Sequence, residues 1–338
     1  MRAIRGLLAR LPVDPYLVML VATVALAFAL PARGAARPAV DGGVTTAVAA
    51  LFFLYGARIS PAAVWTGLTN WRLQSVVFAS TYILFPIIGF AVGALAKPFL
   101  PADVTLGLMY LCMLPSTVQS SIAFTSIARG NVPAALCSAS VSNLVGVAIT
   151  PLLVSILLPS SGGMSLGALG DVALQILLPF GLGQLLRPWI SRWLLRQPRL
   201  TAIVDRGSIL LIVYAAFSAG VVAGIWRQLS LGSLAAVIAV DLLVLGLVIG
   251  ATTLASRRLR FSTEDEIAIV FCGSKKSLAS GLPMAGILFP GHVLGMVILP
   301  LMIFHQVQLF VCATLARRYA ARGEGPRLDP TDAAPVAA

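Results

Sequence analysis

Two adjacent lysines, Lys275 and Lys276, stand in the middle of a stretch otherwise built of apolar and small residues, from Ile267 to Phe289. A lysine at mid-bilayer costs about 2.5–3.5 kcal/mol on insertion scales, so a pair persists only where it meets a partner or a watery cavity. Gly273, Ser274, Ser277, Ser280, Gly281 and Pro283 surround the pair, loosening a helix and supplying polar groups. That combination describes a broken helix lining a solute site. A second such stretch runs Leu114-Pro115-Ser116-Thr117 and continues through Gln119, Ser120, Ser121, Thr125 and Ser126. Pro115 removes a backbone donor and crowds the carbonyl four residues earlier, which frees oxygens suited to a small cation or a polar solute. A plain proline kink, with serines bonding back to their own helix, would give the same pattern without a ligand.

Three more polar residues sit in apolar surroundings. Asp241 lies about midway between Arg227 and Arg257 and is the natural ion-pair partner of Lys275 or Lys276. One carboxylate cannot neutralise both lysines, so either one lysine is uncharged or an anion completes the set. A purely structural ion pair is the alternative. His305, in Phe304-His305-Gln306-Val307-Gln308, can relay protons or serve as a hydrogen-bonded packing residue. Asn143, following Ser138 and Ser142 and preceding Thr150-Pro151, can bridge helices or face the site. The candidate solute- or ion-binding set is therefore Thr117, Gln119, Ser120, Ser121, Asn143, Ser274, Lys275, Lys276 and Ser277, with Asp241 and His305 for coupling.

The elements that position these residues are membrane spans. The chain is 59% hydrophobic and 11% charged, against about 25% charged in a soluble domain. Its mean hydropathy is +0.95, which makes it a polytopic membrane protein. The net charge of +12 lies in short clusters between apolar runs, unlike a nucleic-acid surface. Cys112, Cys137, Cys272 and Cys312 fall inside apolar runs as small reduced hydrophobes, and two histidines without cysteine spacing give no metal cage. No cofactor is expected. Ser274-Lys275-Lys276-Ser277 lacks the upstream glycines of a phosphate-binding loop, and no domain remains to hold ATP. An intramembrane enzyme would need a nucleophile–base pair, for which only Ser277 with a lysine qualifies, so the chain is not read as an enzyme.

With about 20 apolar residues per crossing, ten spans are expected near 15–31, 43–59, 73–96, 104–127, 132–158, 169–189, 207–226, 231–255, 265–289 and 293–316. Placing the N-terminus inside puts eighteen of the 24 basic residues on the cytoplasmic side, and only Arg33, Arg37, Lys97 and Arg227 outside. Both termini are then cytoplasmic, in a multi-pass plasma (inner) membrane protein. Reading the start as a cleaved leader would leave nine spans.

Aligning the chain with itself at an offset of 156 brings Ser116–Ala128 onto Cys272–Met284, with Gln119 and Ser120 in the places of Lys275 and Lys276. Five spans per half make the second half inverted: 1–158 (spans 1–5) and 159–318 (spans 6–10), followed by a disordered cytoplasmic tail, 319–338. Paired interrupted spans, here the fourth and ninth, point to a transporter's binding site.

The runs Leu114-Pro-Ser-Thr-Val-Gln-Ser-Ser, Ala128-Arg-Gly-Asn131, Ser142-Asn-Leu-Val-Gly and Thr150-Pro151 resemble the bile acid:sodium symporter superfamily. So do Val270-Phe-Cys-Gly-Ser-Lys-Lys-Ser-Leu-Ala-Ser-Gly-Leu-Pro283 and Phe304-His-Gln. The likeness covers roughly 14–318 and is to the divergent symporter-like branch with the Gly-Ser-Lys-Lys-Ser signature. It implies ten helices in two inverted repeats, a panel of spans 1, 2, 6 and 7, a core of spans 3–5 and 8–10, and crossing broken spans four and nine. Sodium-driven members bind two sodium ions at that crossing. By resemblance Ser120 and Ser121 fall near the span-four ligands, the lysines replace a glutamine–asparagine pair, and the acid position comes out at about Phe271. A lysine ammonium can hold a cation's place permanently, so the coupling ion is either the proton or sodium at a remaining span-four site. The reading is a secondary transporter of a small anionic organic solute working by alternating access. A membrane regulator that keeps the fold without transport is the alternative.

Overall fold

The computed structural model describes residues 15–58, 70–158, 166–228, 230–289 and 291–322. Every regular element among the described residues is helical. Besides a short 3-10 turn at Ile225–Gln228, these are in chain order α1 (Pro15–Ala29), α2 (Ala36–Arg58), α3 (Trp71–Ala96), α4 (Ala102–Cys112), α5 (Gln119–Ile127), α6 (Val132–Leu157), α7 (Leu166–Leu195), α8 (Pro198–Ala223), α9 (Leu231–Arg258), α10 (Thr263–Gly273), α11 (Leu278–Leu288) and α12 (Gly291–Arg322). Six of them (α2, α3, α6, α8, α9 and α12) are long and apolar enough to cross a membrane. Large apolar side chains such as Leu95, Ile203 and Phe310 are exposed on their outer faces, as a lipid-facing surface requires.

The stretches expected as single spans at 104–127 and 265–289 are each two half-helices separated by non-helical backbone. Several helices run past the apolar windows into polar ends: α2 begins at Ala36, where Arg37 lies 3.8 Å from Asp41 on the same face. Helix α12 continues to Arg322, past the expected start of the tail at 319. The rest of that tail, with Arg327, lies outside the described residues, as do the N-terminal arginines at positions 2, 5 and 10.

Helices α1, α2, α7 and α8 pack together. The α2–α7 crossing is a reciprocal glycine contact, in which a Cβ on Gly56 would collide with the Phe180 carbonyl and one on Gly183 with the Phe53 carbonyl. Without a hydrophobic drive between helices in lipid, such small residues let two backbones meet. The remaining helices form a second group around the two breaks, and α8 joins the groups through α11 and α12. At one end of that second group, buried Glu266 accepts from Arg257 Nε (3.0 Å), Arg257 NH2 (3.2 Å) and the Tyr319 hydroxyl (2.8 Å). Asn131 Nδ2 donates to Asp265 at 2.7 Å, and its Oδ1 caps α6.

Candidate functional site

The two breaks are made differently. In the first, α4 stops at Cys112 because Pro115 cannot donate. In the second, α10 stops at Gly273, the Ser274 hydroxyl donates to the Val270 carbonyl (2.6 Å), and Ser277 caps α11 by accepting from Ser280 N–H. Backbone carbonyls freed at mid-membrane need donors from elsewhere. Cys112 and Leu114 carbonyls accept from Lys276 Nζ, Met113 from Thr150, Pro115 from the Ser277 amide, and Ser116 from Asn143 Nδ2. On the other side, Phe271 accepts from Ser121, Cys272 from Ser116, and Gly273 from Ser80. Each break closes the other.

The two lysines have opposite surroundings although both are 0% exposed. Lys276 Nζ donates to the carbonyls of Thr81 (2.9 Å), Cys112 (2.9 Å) and Leu114 (2.7 Å), and stands 4.0 Å from the centre of the Phe85 ring. Lys275 Nζ has no hydrogen-bond partner among the described residues; it faces the rings of Phe124 at 4.2 Å and Phe271 at 5.6 Å. Phe124 sits one turn into α5, whose start has no side-chain cap. Beside that start, the Thr117 hydroxyl meets those of Ser120 (2.8 Å) and Ser121 (3.0 Å). Gln119 is exposed.

The ion pair expected between Asp241 and a lysine is not formed. Both Asp241 oxygens lack a partner among the described residues, and the carboxyl is 0% exposed. The physical reason is that the three Lys276 donors are already saturated by carbonyls, while Lys275 turns to the opposite aromatic face. Asn143 bridges helices: it donates to Ser116 and Ala139 carbonyls and accepts from Ser280 at 2.7 Å, which in turn accepts from Ser277. His305 Nδ1 lies 3.0 Å from Gln308 Nε2. Ala102 and Cys112, the ends of α4, precede Thr263 and Gly273, the ends of α10, by the same 161 residues.

Two residues outside the expected set belong to the site. Gln308 grips the Lys276 peptide, its Oε1 accepting from the amide and its Nε2 donating to the carbonyl, both at 2.9 Å. Ser116 joins the breaks by donating its hydroxyl to the Cys272 carbonyl at 2.6 Å, and its amide donates to the Ser142 hydroxyl. Density of polar residues flagged both segments, but not which residue reaches across.

A helical membrane chain with two interlocked breaks invites comparison with known carriers. The SBF-like CPA transporter family matches residues 14–321. The chain belongs to this family. Among curated relatives, the putative symporter YfeH of Escherichia coli (strain K12) is 51% identical, over 92% of this chain and 94% of that one. An uncharacterized protein of Pseudomonas aeruginosa is 50% identical, over 91% and 93%. Sodium/bile acid cotransporter 7 of Xenopus tropicalis is 26% identical, over 92% of both. This SBF-like transporter is thus a multi-pass membrane transport protein and not an enzyme.

Proposed function

We propose that this SBF-like transporter is a secondary carrier of a small organic anion, working by alternating access with Lys275 as the solute's charged ligand. The carrying observation is the Lys275 ammonium, fully buried and without a hydrogen-bond partner among the described residues, over the Phe124 ring of α5. An ammonium held in that state is costly, and an anion at the crossing relieves the cost. The uncapped amides at the start of α5 and the Thr117 and Ser120 hydroxyls supply the remaining polar groups.

The arrangement is ten crossings in two inverted five-helix repeats, with halves 1–158 and 159–318. The paired breaks and the common 161-residue spacing of the first half-helices support it. The panel is α1, α2, α7 and α8, and the rest is the core. A cleft of about 80 Å³ between Val48, Gln175, Pro179 and Gly286 lies where α2 and α7 meet α11, along the seam on which panel and core would move. The basic-residue asymmetry supports cytoplasmic termini in the inner membrane. Sodium is a poor fit here, because the position that the resemblance gives to the acid is the apolar, buried Phe271. Coupling then falls to the proton, with Asp241 and His305 among the titratable groups of the core.

The test is uptake of a panel of labelled small organic anions into liposomes carrying purified protein, under a proton gradient, a sodium gradient or neither. Anion uptake should follow the proton gradient and disappear in a folded Lys275→Met variant. Equal uptake by that variant, or wild-type uptake confined to neutral and cationic solutes, would refute the assignment.

A further inference from the structure

The oxygens around Lys276 come from two separate elements, and each is free for a stated reason. Cys112 and Leu114 lie at and just beyond the end of α4, where the last carbonyls of a helix lack internal donors and the helix dipole is negative. Thr81 lies in the π turn Ser80–Leu84 of α3, where hydrogen bonds span five residues and Phe85 N–H closes on Ser80. The next donor in that register would be Pro86, which has none, so the Thr81 carbonyl is left open to Lys276. Contacts of 2.7 to 2.9 Å are those of charge-assisted hydrogen bonds. Three carbonyls meet three donors, and the Phe85 ring covers a further side at 4.0 Å. Gln308 holds the lysine's own peptide from both sides.

A cage of backbone carbonyls with no carboxylate is the kind of surrounding that replaces the hydration shell of a monovalent cation. We propose that this cage is a monovalent-cation site which the chain fills with its own ammonium. Lys276 is a tethered cation, and a chain deprived of its side chain takes up a free primary ammonium ion in its place. The inference stands apart from the identity of the solute. It makes the core self-sufficient in cations, and it removes Lys276 from solute recognition because no donor is spare.

Chemical rescue tests it. Lys276→Gly and Lys276→Ala proteins would be unfolded thermally in chloride salts of n-butylammonium, n-butyltrimethylammonium, sodium and potassium at equal ionic strength. Both variants should melt several degrees below wild type, and n-butylammonium should recover more than half of the loss. n-Butyltrimethylammonium, with the same charge and stem but no N–H, should recover little, and wild type should not respond to either. Equal recovery by the two amines, or no recovery in either variant, would overturn the proposal. So would a Lys276→Gly protein as stable as wild type in plain buffer. Should neither variant survive extraction, the yield of folded monomer with n-butylammonium present throughout is the readout, and a yield no higher than with n-butyltrimethylammonium overturns the proposal as well.

Discussion

Replacing each lysine by methionine should separate two residues that stand side by side in the chain. Methionine keeps most of the apolar stem and removes the charge. At position 276 the change strips donors from three carbonyls at 2.7 to 2.9 Å. A hydrogen bond to a charged group contributes about 1.5–3 kcal/mol, and each buried acceptor left unmet costs about 1–3 kcal/mol. Relief of the buried charge offsets part of this, so the net loss should resemble that of breaking a buried charged contact, about 3–5 kcal/mol. Measured against a total stability of about 5–15 kcal/mol, that is a large fraction. At position 275 no hydrogen bond to the described residues is lost, only contact with the Phe124 and Phe271 rings. Such contacts contribute about 0.5–2 kcal/mol, less than the relief of desolvating an unpaired ammonium. Lys275→Met should therefore be as stable as wild type or more so. Unfolding of the two purified variants in one detergent, followed by thermal or denaturant titration, measures the difference. Losses of equal size at both positions would show that the two environments are not what the contacts describe.

Asp241→Asn should cost less than about 1 kcal/mol, because no partner among the described residues is lost; a loss of about 3 kcal/mol or more would reveal an ion pair. Asn143→Ala should cost about 2–4 kcal/mol, since it leaves the Ser116 carbonyl without its donor and the Ser280 hydroxyl proton without its acceptor; unfolding as robust as wild type would show that the breaks do not depend on it. Gln308→Leu should loosen the Lys276 peptide, read as faster amide hydrogen exchange at 274–278 than at the α6 interior; unchanged exchange there would count against the clamp. Gly183→Leu should weaken the α2–α7 crossing and lower the melting temperature without altering the lysine environments, which fails if the variant melts with wild type.

The class of the protein and the approximate helix positions were legible in the residues because they depend on local quantities. Apolar windows announce crossings whatever they pack against, and Pro115, Gly273 and Ser274 announce breaks because their effect acts on their own backbone. The family resemblance was legible for the same reason, being carried by contiguous runs around the breaks. What each polar side chain would meet was not legible. Asp241 looked like a lysine partner on the grounds of charge alone, yet charge does not say which way a neighbouring helix turns. Lys275 and Lys276 look alike in composition and spacing. They part company because a non-helical segment points consecutive side chains in different directions, one toward Phe124 and one toward the end of α4.

Composition and the placement of Pro and Gly thus determined by themselves that the chain is a multi-pass membrane protein with two interrupted helices, and the motifs around the breaks carried the family resemblance. Only the tertiary structure decided that Lys276 is spent on carbonyls, that Lys275 remains unpartnered among the described residues, and that Gln308 and Ser116 belong to the site. The groups that settle those roles, such as Thr81, Cys112 and Ser116, lie more than 150 positions from the residues they bind. Free backbone carbonyls exist only once a break has formed, and their donors are chosen by whichever side chains the packed helices bring within about 3 Å.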